Sequence, residues 1–147
     1  MLALTKKTGY GLIAMTHLAR LGQGEVSSAR EIADRFGVPG SLLMNVLKDL
    51  SAAGYVESVR GAHGGYRLAL RPDDVNLADL VAALEGPIRT AQCVTGQEDD
   101  AGLCRLMDRC PINDPVHRIH RKLRDFLKNI TLADIAEPAT PVGTIHE

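Results

Sequence analysis

All three cysteines of the chain lie in one short stretch, CVTGQEDDAGLCRLMDRCP, which spans residues 93–111. Ten residues separate Cys93 from Cys104, and five separate Cys104 from Cys110. Neither gap is the two-residue spacing of a zinc knuckle, and no H-x3–5-H pair follows as in a zinc finger. Wide, unequal spacing is more usual where a loop wraps an iron–sulfur cluster. The three cysteines are therefore predicted to hold a [2Fe–2S] or [4Fe–4S] cluster; the alternative is unligated thiols.

A cluster held by three cysteines leaves one iron coordination position to be filled by another group. His117 and His120 follow Cys110 within ten residues, and His117 is the candidate fourth ligand. The alternative is that both histidines are solvated residues of a helix. Acidic side chains in the loop keep it in water and disfavour thiolate anions, so a metal must supply the stabilising charge. The acidic residues are Glu98, Asp99, Asp100 and Asp108.

The length of 147 residues indicates one domain, or a small domain with an extension. The expected compartment is the cytoplasm. No apolar run approaches the roughly 18 residues of a membrane helix, and the N-terminus lacks a signal-peptide pattern. In the cytoplasm, clustered cysteines more often bind metal or react with oxidants than form disulfides. No nucleophile–base pair or phosphate-binding loop is present, so neither an enzymatic activity nor a small-molecule substrate is predicted.

The net charge of −1 hides an asymmetry between the two halves of the chain. Residues 1–71 contain nine Lys or Arg against five Asp or Glu, which gives +4. Residues 72–147 contain eight against thirteen, which gives −5. A basic first half fits a chain whose first part contacts nucleic-acid phosphates.

The spacing of apolar residues predicts a helix-turn-helix. A first helix over 8–21 is followed by a second that opens on a capping box of Ser28 and Glu31. A third, SLLMNVLKDLSAAG, is predicted to have Ser41 as its N-cap and Gly54 as its stop. The core positions of the first and third helices are Leu12, Met15, Leu18 and Ala19, and Leu43, Val46, Leu47 and Leu50. Two short helices joined by a tight turn containing glycine are typical of the motif.

After the third helix the pattern changes to that of a β-hairpin. YVESVR and YRLAL are predicted strands, and GAHGG is the glycine-rich connection between them. A further helix over 76–86 has Asn76 as its cap and Asp79 in its first turn. The predicted fold class is therefore mainly α with a small β-hairpin wing, the winged helix-turn-helix.

The second helix of a helix-turn-helix enters the DNA major groove, so its outward residues should be polar or small. Leu42 and Met44 are apolar, and they either contact thymine methyl groups or cover neighbouring protein surface. Arg60 and His63 on the wing are predicted to reach a groove or a phosphate, unless GAHGG is only a turn. The predicted DNA contacts are Lys6, Ser28, Ser41, Leu42, Met44, Asn45, Lys48, Arg60, His63 and Gly64.

A long helix, DPVHRIHRKLRDFLKNI, is predicted after the cysteine loop, with Asn113 as its cap and Pro115 in its first turn. Its apolar residues are spaced 3, 4, 3, 4, as in a seam between two paired helices. They are Val116, Ile119, Leu123, Phe126 and Ile130. The seam covers little more than two heptads, so a helix packed on its own domain fits equally well. Thr131 and Asp134 indicate one more short helical turn.

Five segments together resemble the IscR-type winged-helix regulators, and among these the subgroup that regulates iron–sulfur cluster assembly through the SUF system. They are the opening LTKKTGYGL, the wing VRGAHGGYRLA, the segment VNLADLVAALEGPI, the three cysteines ending in CP, and FLKNITLADI. The resemblance covers residues 1–136. It implies a homodimer paired through the 116–130 seam, with one winged helix per chain on a palindromic DNA site.

The resemblance also implies that Cys93, Cys104 and Cys110 bind a cluster whose presence or oxidation state alters DNA affinity. It places the recognition helix at 41–48 and the wing at 60–64. The predicted organisation is a DNA-binding domain (1–86), a cysteine loop (87–112), a dimerisation helix with a short terminal helix (113–136), and a tail (137–147) that is expected to be disordered because it has no apolar pattern.

Three features depart from the family pattern. The first cysteine gap is ten residues, where several members have five. Asn113 stands where some members have a ligand histidine, and Gly9 stands where others use an aspartate, so the fourth ligand is open. Met44 replaces a glutamate of the recognition helix and cannot accept a hydrogen bond from cytosine N4. A different DNA site, or only one of the family's site classes, is expected.

The sequence thus predicts a homodimeric, cytoplasmic regulator, a repressor, that senses iron–sulfur or redox status. The cluster is expected to brace the loop so that two recognition helices match half-sites about 34 Å apart, or a multiple of it. One alternative keeps the fold but senses by thiol chemistry or contains zinc. Another, an electron carrier or cluster-transfer protein, leaves the helix-turn-helix and wing unexplained.

Overall fold

The computed structural model describes residues 4–91, 93–94 and 104–138, and the order of its elements is that of a winged helix. The helices are α1 Lys6–Leu21, α2 Ala29–Phe36, α3 Gly40–Ala52, α4 Leu77–Glu85, α5 Asn113–Lys128 and α6 Leu132–Ala136. The strands are β1 Val56–Val59 and β2 Gly65–Leu68, and short 3-10 turns occupy Pro72–Asp74 and Met107–Arg109. The fold is mainly helical with a two-stranded antiparallel hairpin, as predicted.

The hydrophobic core lies where α1 packs against α3, α4 and α6, with α2 and the hairpin closing its sides. The predicted stripe of α3 is completely buried, and burial of each such leucine contributes roughly 1.5–3 kcal/mol to folding. On α1, Met15 and Leu18 are buried, while Leu12 and Ala19 are partly buried against the core. The 3.6-residue periodicity therefore identified the inner faces of both helices correctly.

The ends of α2 and α3 test two predicted caps. Ser28 and Glu31 form the predicted capping box, with Ser28 Oγ accepting from the Glu31 N–H at 3.1 Å. The prediction of Ser41 as an N-cap was wrong. Helix α3 begins at Gly40 after Pro39, whose backbone is extended (φ −58°, ψ 121°) and makes no side-chain cap bond. The proline ring itself fixes the entry of the chain, so Ser41 lies in the first turn with its side chain exposed.

The hairpin is tied to the rest of the domain through the residue before α2. Ser27 and Tyr66 exchange backbone hydrogen bonds of 3.0 and 2.8 Å. A Cβ added to Gly65 would lie 2.4 Å from the Ser27 carbonyl oxygen, so only glycine permits this approach. Both strands are shorter than predicted, and they pair antiparallel with Val56 opposite Leu68. The wing therefore leaves the domain from a fixed base.

The prediction of Asn113 as the cap of the long helix was also wrong. Asn113 is the first residue of α5, and Ile112 before it makes no side-chain cap bond. The predicted short helical turn is present as α6, which opens on a capping box of Thr131 and Asp134. Backbone hydrogen bonds of 2.8 Å from Leu77 N to the Ile130 carbonyl oxygen and from Leu132 N to the Val75 carbonyl oxygen hold the start of α6 beside that of α4.

Parts of three predicted segments lie outside the described residues. These are 1–3 of the DNA-binding domain, 92 and 95–103 of the cysteine loop, and 139–147 of the tail. Within the described part of the chain, no helix combines the length and apolar character needed to cross a membrane.

Candidate nucleic-acid interface and cysteine loop

The outward face of α3 carries all the side chains predicted for the recognition helix. Each is exposed, on the side of the helix opposite the buried stripe; they are Ser41, Leu42, Met44, Asn45 and Lys48. Leu42 is 47% exposed and Met44 38% exposed. Much of both apolar side chains thus stays in contact with water, so both are available to contact thymine methyl groups. That contact remains a prediction.

The start of α1 lies beside α3 and supplies two lysines with different surroundings. Lys7 Nζ forms an ion pair of 2.7 Å with Asp49 on α3, whereas Lys6 has no carboxylate within ion-pair distance in the described part of the chain. A groove between the two helices is lined by both lysines and by Leu42. Because Asp49 offsets the charge of Lys7, Lys6 is the better candidate for a DNA phosphate, and its contact also remains a prediction.

The wing presents Arg60 and His63 to solvent at its base and tip. The neighbouring Arg67 is paired with Glu57 across the strands at 2.9 Å. A Cβ on Gly64 would lie 2.2 Å from the Val59 carbonyl oxygen, so the turn itself requires this glycine. Gly64 is therefore explained without DNA, and the predicted contacts of Arg60, His63 and Gly64 remain predictions.

Ser28 lies at the start of α2, where its hydroxyl oxygen caps the helix. The Ser28 backbone N–H donates to Glu31 Oε2 at 2.8 Å, which completes the capping box. These bonds hold the Glu31 carboxylate close to the helix N-terminus and lower its pKa. The Ser28 O–H can still donate to a phosphate, so its predicted DNA contact is compatible with the cap.

A buried polar network beneath the wing was missed by the sequence analysis. His17 is only 8% exposed, and its Nε2 lies 3.2 Å from Ser27 Oγ, which donates to Glu31 Oε2 at 3.1 Å. Burial, and then the charge of Arg35, lower the pKa of His17. The network joins α1, α2 and the hairpin base. Its one sequence signal was a histidine beside Leu18, within the apolar pattern of α1.

The three cysteines lie in the connection between α4 and α5. All are half-buried and form no disulfide. Cys93 precedes the buried Val94, while Cys104 and Cys110 flank the 3-10 turn before α5. Within the described ranges, no three His, Cys, Asp or Glu side chains lie close enough to hold a metal ion. The joint binding of a cluster by the cysteines therefore remains a prediction.

The candidate fourth ligands differ in their surroundings. His120 is buried, with its Nδ1 3.3 Å from Thr90 Oγ1, so its interpretation as a solvated residue was wrong. Burial, and then the charges of Arg124 and His117, lower the pKa of His120. His117, one turn earlier on α5, is half-buried.

Asn113 provides a test of whether this region fits a bound group. Its Oδ1 is buried and has no hydrogen-bond partner among the residues that the structure describes. Buried acceptors are nearly always satisfied, and this one lies three residues after Cys110. Three soft sulfur donors in one connection, with an unsatisfied oxygen three residues after the last of them, fit a metal-containing group in their chemistry.

The seam of α5 leaves large apolar side chains in water. Ile119 is 60% and Phe126 62% exposed. Val116, Leu123 and Ile130 are half-buried. Exposed apolar residues grouped on one helix face are typical of an interface with a partner. This exposure supports the interpretation of the seam as intermolecular.

Comparison with known proteins agrees with this arrangement. The profile of the Rrf2 family, described as iron-dependent transcriptional regulators, matches residues 4–138. CymR (YrzC), the global cysteine regulator of B. subtilis, is 32% identical, with a TM-score of 0.71 over 92% of this chain and 97% of that chain. IscR of T. potens is 28% identical, with a TM-score of 0.72 over 99% and 94%. CymR of Staphylococcus aureus is 28% identical, with a TM-score of 0.70 over 92% and 99%.

These matches confirm the IscR-type resemblance and the winged-helix fold, whereas the SUF subgroup stays a prediction. Regulators of this family bind DNA and act as dimers, so DNA and a second copy of the chain are its partners. The family's members are transcriptional regulators rather than enzymes. The chain belongs to the Rrf2 family of transcriptional regulators.

Proposed function

We propose that this protein is a dimeric repressor that senses iron–sulfur or redox status through Cys93, Cys104 and Cys110. The observation that carries the proposal is the position of the three half-buried thiols. All lie in the connection between α4, the last helix of the predicted DNA-binding domain, and α5, whose exposed seam is proposed to pair with a second copy. A chemical change in this connection acts on the segment that links the two functional surfaces.

DNA binding is proposed to use the exposed face of α3 and the wing. Two copies joined through α5 present two α3 helices to a palindromic operator, whose half-sites lie about 34 Å apart or a multiple of that distance. Ser41, Asn45 and Lys48 supply polar contacts in the major groove, and Leu42 and Met44 supply apolar ones. Arg60 and His63 extend toward the neighbouring minor groove, and Lys6 and Ser28 toward phosphates. A DNA-binding regulator must be in the same compartment as its DNA, so we propose that the protein is cytoplasmic.

The three cysteines would hold the cluster, with His117 as one candidate for the fourth position. Asn113 is a second candidate, because its buried Oδ1 lacks a partner in the described structure. A bound cluster supplies iron that changes its oxidation state and responds to oxidants. The role of the chain is to present the thiols in a partly buried connection, where their ligation state alters the path from Pro87 to α5.

A second candidate function is a cluster-free regulator that responds through thiol chemistry. It is favoured by the similarity to CymR of B. subtilis, named as the global cysteine regulator. It is also compatible with the lack of a metal-holding group of three side chains within the described ranges. A zinc-containing regulator is a further version of the same idea, and it differs in needing a metal but no sulfide.

Anaerobic purification with a visible spectrum and with iron and sulfide analysis tests the proposal. We expect a coloured protein containing iron and sulfide, and loss of the colour in each of Cys93→Ala, Cys104→Ala and Cys110→Ala. His117→Ala and Asn113→Ala, assayed in parallel, identify the fourth ligand by a changed spectrum. A colourless protein without iron after anaerobic reconstitution contradicts cluster sensing and leaves the thiol or zinc regulator. A coloured protein that selects no duplex from a random DNA pool indicates the electron carrier instead.

A further inference from the structure

Glu85 is the last residue of α4, and its side chain reaches the start of α1. Glu85 Oε1 accepts a hydrogen bond from the Thr8 hydroxyl at 2.6 Å and another from the Thr5 hydroxyl. Thr5 is the N-cap of α1, and Thr8 in the first turn is completely buried. These hydroxyls lower the pKa of Glu85, the Thr5 bond having the larger effect. The carboxylate thus accepts two bonds that fix where α1 begins.

The same residue stands directly before the cysteine loop. Gly86 follows it with a positive φ of 86°, which ends α4, and Pro87 is the first residue of the loop. A cavity of about 330 Å³ lies at this junction and is lined by Thr5, Thr8 and Glu85 together with Gly86–Arg89. The junction thus borders an open cleft, and a displacement of the loop has room to change the position of Glu85.

The start of α1, which Glu85 contacts, in turn contacts the recognition helix α3. Lys6 and Lys7 lie between Thr5 and Thr8 on α1, and Lys7 is paired at 2.7 Å with Asp49 on α3. Glu85, joined to the loop through Gly86, thus contacts the start of α1, and Lys7 in the first turn of α1 contacts Asp49 on α3. The start of α1 and α3 matter for DNA binding, because Lys6 and the outer face of α3 are proposed contacts.

From these contacts we infer that Glu85 is a positioning residue that transmits the state of the cysteine loop to the recognition helix by holding the start of α1. The inference rests on the proposed function, since it requires both DNA binding and a loop that changes state. Glu85 itself contacts neither DNA nor the cysteines in this scheme. Its removal should uncouple the loop from DNA affinity while leaving both the ligand-binding thiols and the DNA surface in place.

A double-mutant cycle on the full-length protein measures this coupling. The proteins are wild type, Glu85→Ala, Cys104→Ala and the double variant, each reconstituted anaerobically with iron and sulfide. The probe is one palindromic duplex selected from a random pool by the wild-type protein. We expect Cys104→Ala to change the duplex Kd in the wild-type background. In the Glu85→Ala background, the change in Kd caused by Cys104→Ala should be smaller by a factor of about five or more. Coupling between two sites typically amounts to about 5- to 150-fold in affinity.

Matched variants separate coupling from general damage. Asp79→Ala also removes a carboxylate from α4 and should keep the full effect of Cys104→Ala. Thr8→Val removes one of the two bonds to Glu85 and should reproduce part of the effect of Glu85→Ala, while Thr8→Ser keeps the hydroxyl and should behave as wild type. Circular dichroism and the thermal midpoint establish that each variant is folded. If Thr8→Val does not fold, Glu85→Ala and Thr8→Ser still decide the question.

The possible failures are distinguishable. If the wild-type protein selects no duplex, or if Cys104→Ala leaves its Kd unchanged, the proposed function fails and the inference fails with it. If Cys104→Ala changes the Kd equally with and without Glu85, the proposed function stands and the coupling role of Glu85 is wrong.

Discussion

The recognition helix and the cysteine loop are specified by different physics. The two faces of α3 follow from the sequence pattern, because four apolar residues at helical spacing are buried in the core and the side chains between them stay in water. The connection from Pro87 to Ile112 has no such periodicity. In its described part Val94 is buried and the three cysteines are half-buried, and we propose that ligation of these thiols adds to its stability.

This difference suits the two regions to different functions, DNA binding and sensing. A region held by apolar packing keeps its shape when a ligand comes or goes, which suits a surface that must match DNA. A region whose order depends on ligation changes when the ligand is lost, which suits a sensor. Each prediction below tests whether the two regions differ in this way.

The largest effect is expected in the core beneath the recognition surface. Leu47 is completely buried in α3, and Leu47→Ala removes its side chain and leaves a cavity. The expected loss is about 2–5 kcal/mol in the free energy of unfolding. Urea denaturation at fixed protein concentration measures it. Met44→Ala, on the exposed face of the same helix, is the control and should cost little.

The same denaturation experiment on metal-free protein sharpens the comparison. Cys104→Ala removes a half-buried thiol from the loop, and its effect should be within about 1 kcal/mol, as for most substitutions outside a packed core. A loss as large as that of Leu47→Ala would contradict the contrast, because the loop would then be packed without its ligand.

The second effect concerns the exposed seam of α5. Phe126→Ser removes a side chain that is 62% exposed in a single chain and is expected to be covered by the partner helix. Dimerisation should weaken by about 2 kcal/mol or more, as for central aromatic residues of interfaces. Sedimentation equilibrium gives the dimer dissociation constant, and Arg121→Ser, an exposed polar position of the same helix, is the control. An unchanged constant would place the dimer interface elsewhere.

The sequence predicted the packed region well and the rest less well, for identifiable reasons. The stripe of α3 and the cap at Ser28 follow from local patterns, and both are confirmed. Ser41 and Asn113 failed as caps. At the first site Pro39 fixes the chain entry, and at the second α5 begins one residue earlier than the polar side chain suggested.

What the sequence analysis missed was a set of contacts between distant segments. Glu85 meets the start of α1 across 77 residues or more, and His120 meets Thr90 across 30. Neither contact has a local signature, because a glutamate at a helix end and a histidine in a basic helix are common features of solvated surfaces. Only the packing of α1, α4 and α5 brings these groups together.

A third effect tests the wing as part of the packed, preformed DNA surface. Arg60→Ala should weaken binding to a selected duplex by roughly 1–3 kcal/mol, because a good base or groove contact is worth that amount. Fluorescence anisotropy at constant salt measures it. Arg67→Ala is the matched control, since it removes the same charge from the wing but from a side chain already paired with Glu57. Equal losses for both arginines would indicate a general charge effect and remove Arg60 from the predicted contacts.

The smallest effect is expected from pH, and it arises inside the packed region. Burial, and then the charge of Arg35, lower the pKa of His17 below its ordinary value of about 6.5, so the folded state favours the neutral ring that bonds to Ser27. The unfolded chain binds the proton more readily. The stability that His17 contributes is therefore fully present above pH 6.5 and is lost as the pH falls toward the lower pKa of the folded state.

The thermal midpoint of metal-free protein, measured between pH 8 and pH 5, should fall at the acid end. The midpoint of His17→Gln should fall less over the same range, because glutamine keeps a hydrogen-bonding side chain but does not titrate. The midpoint of His63→Gln, a change at the exposed wing tip, should follow that of the wild type. Parallel curves for all three proteins would mean that the network beneath the wing does not sense protons, and that the acid sensitivity lies in other groups.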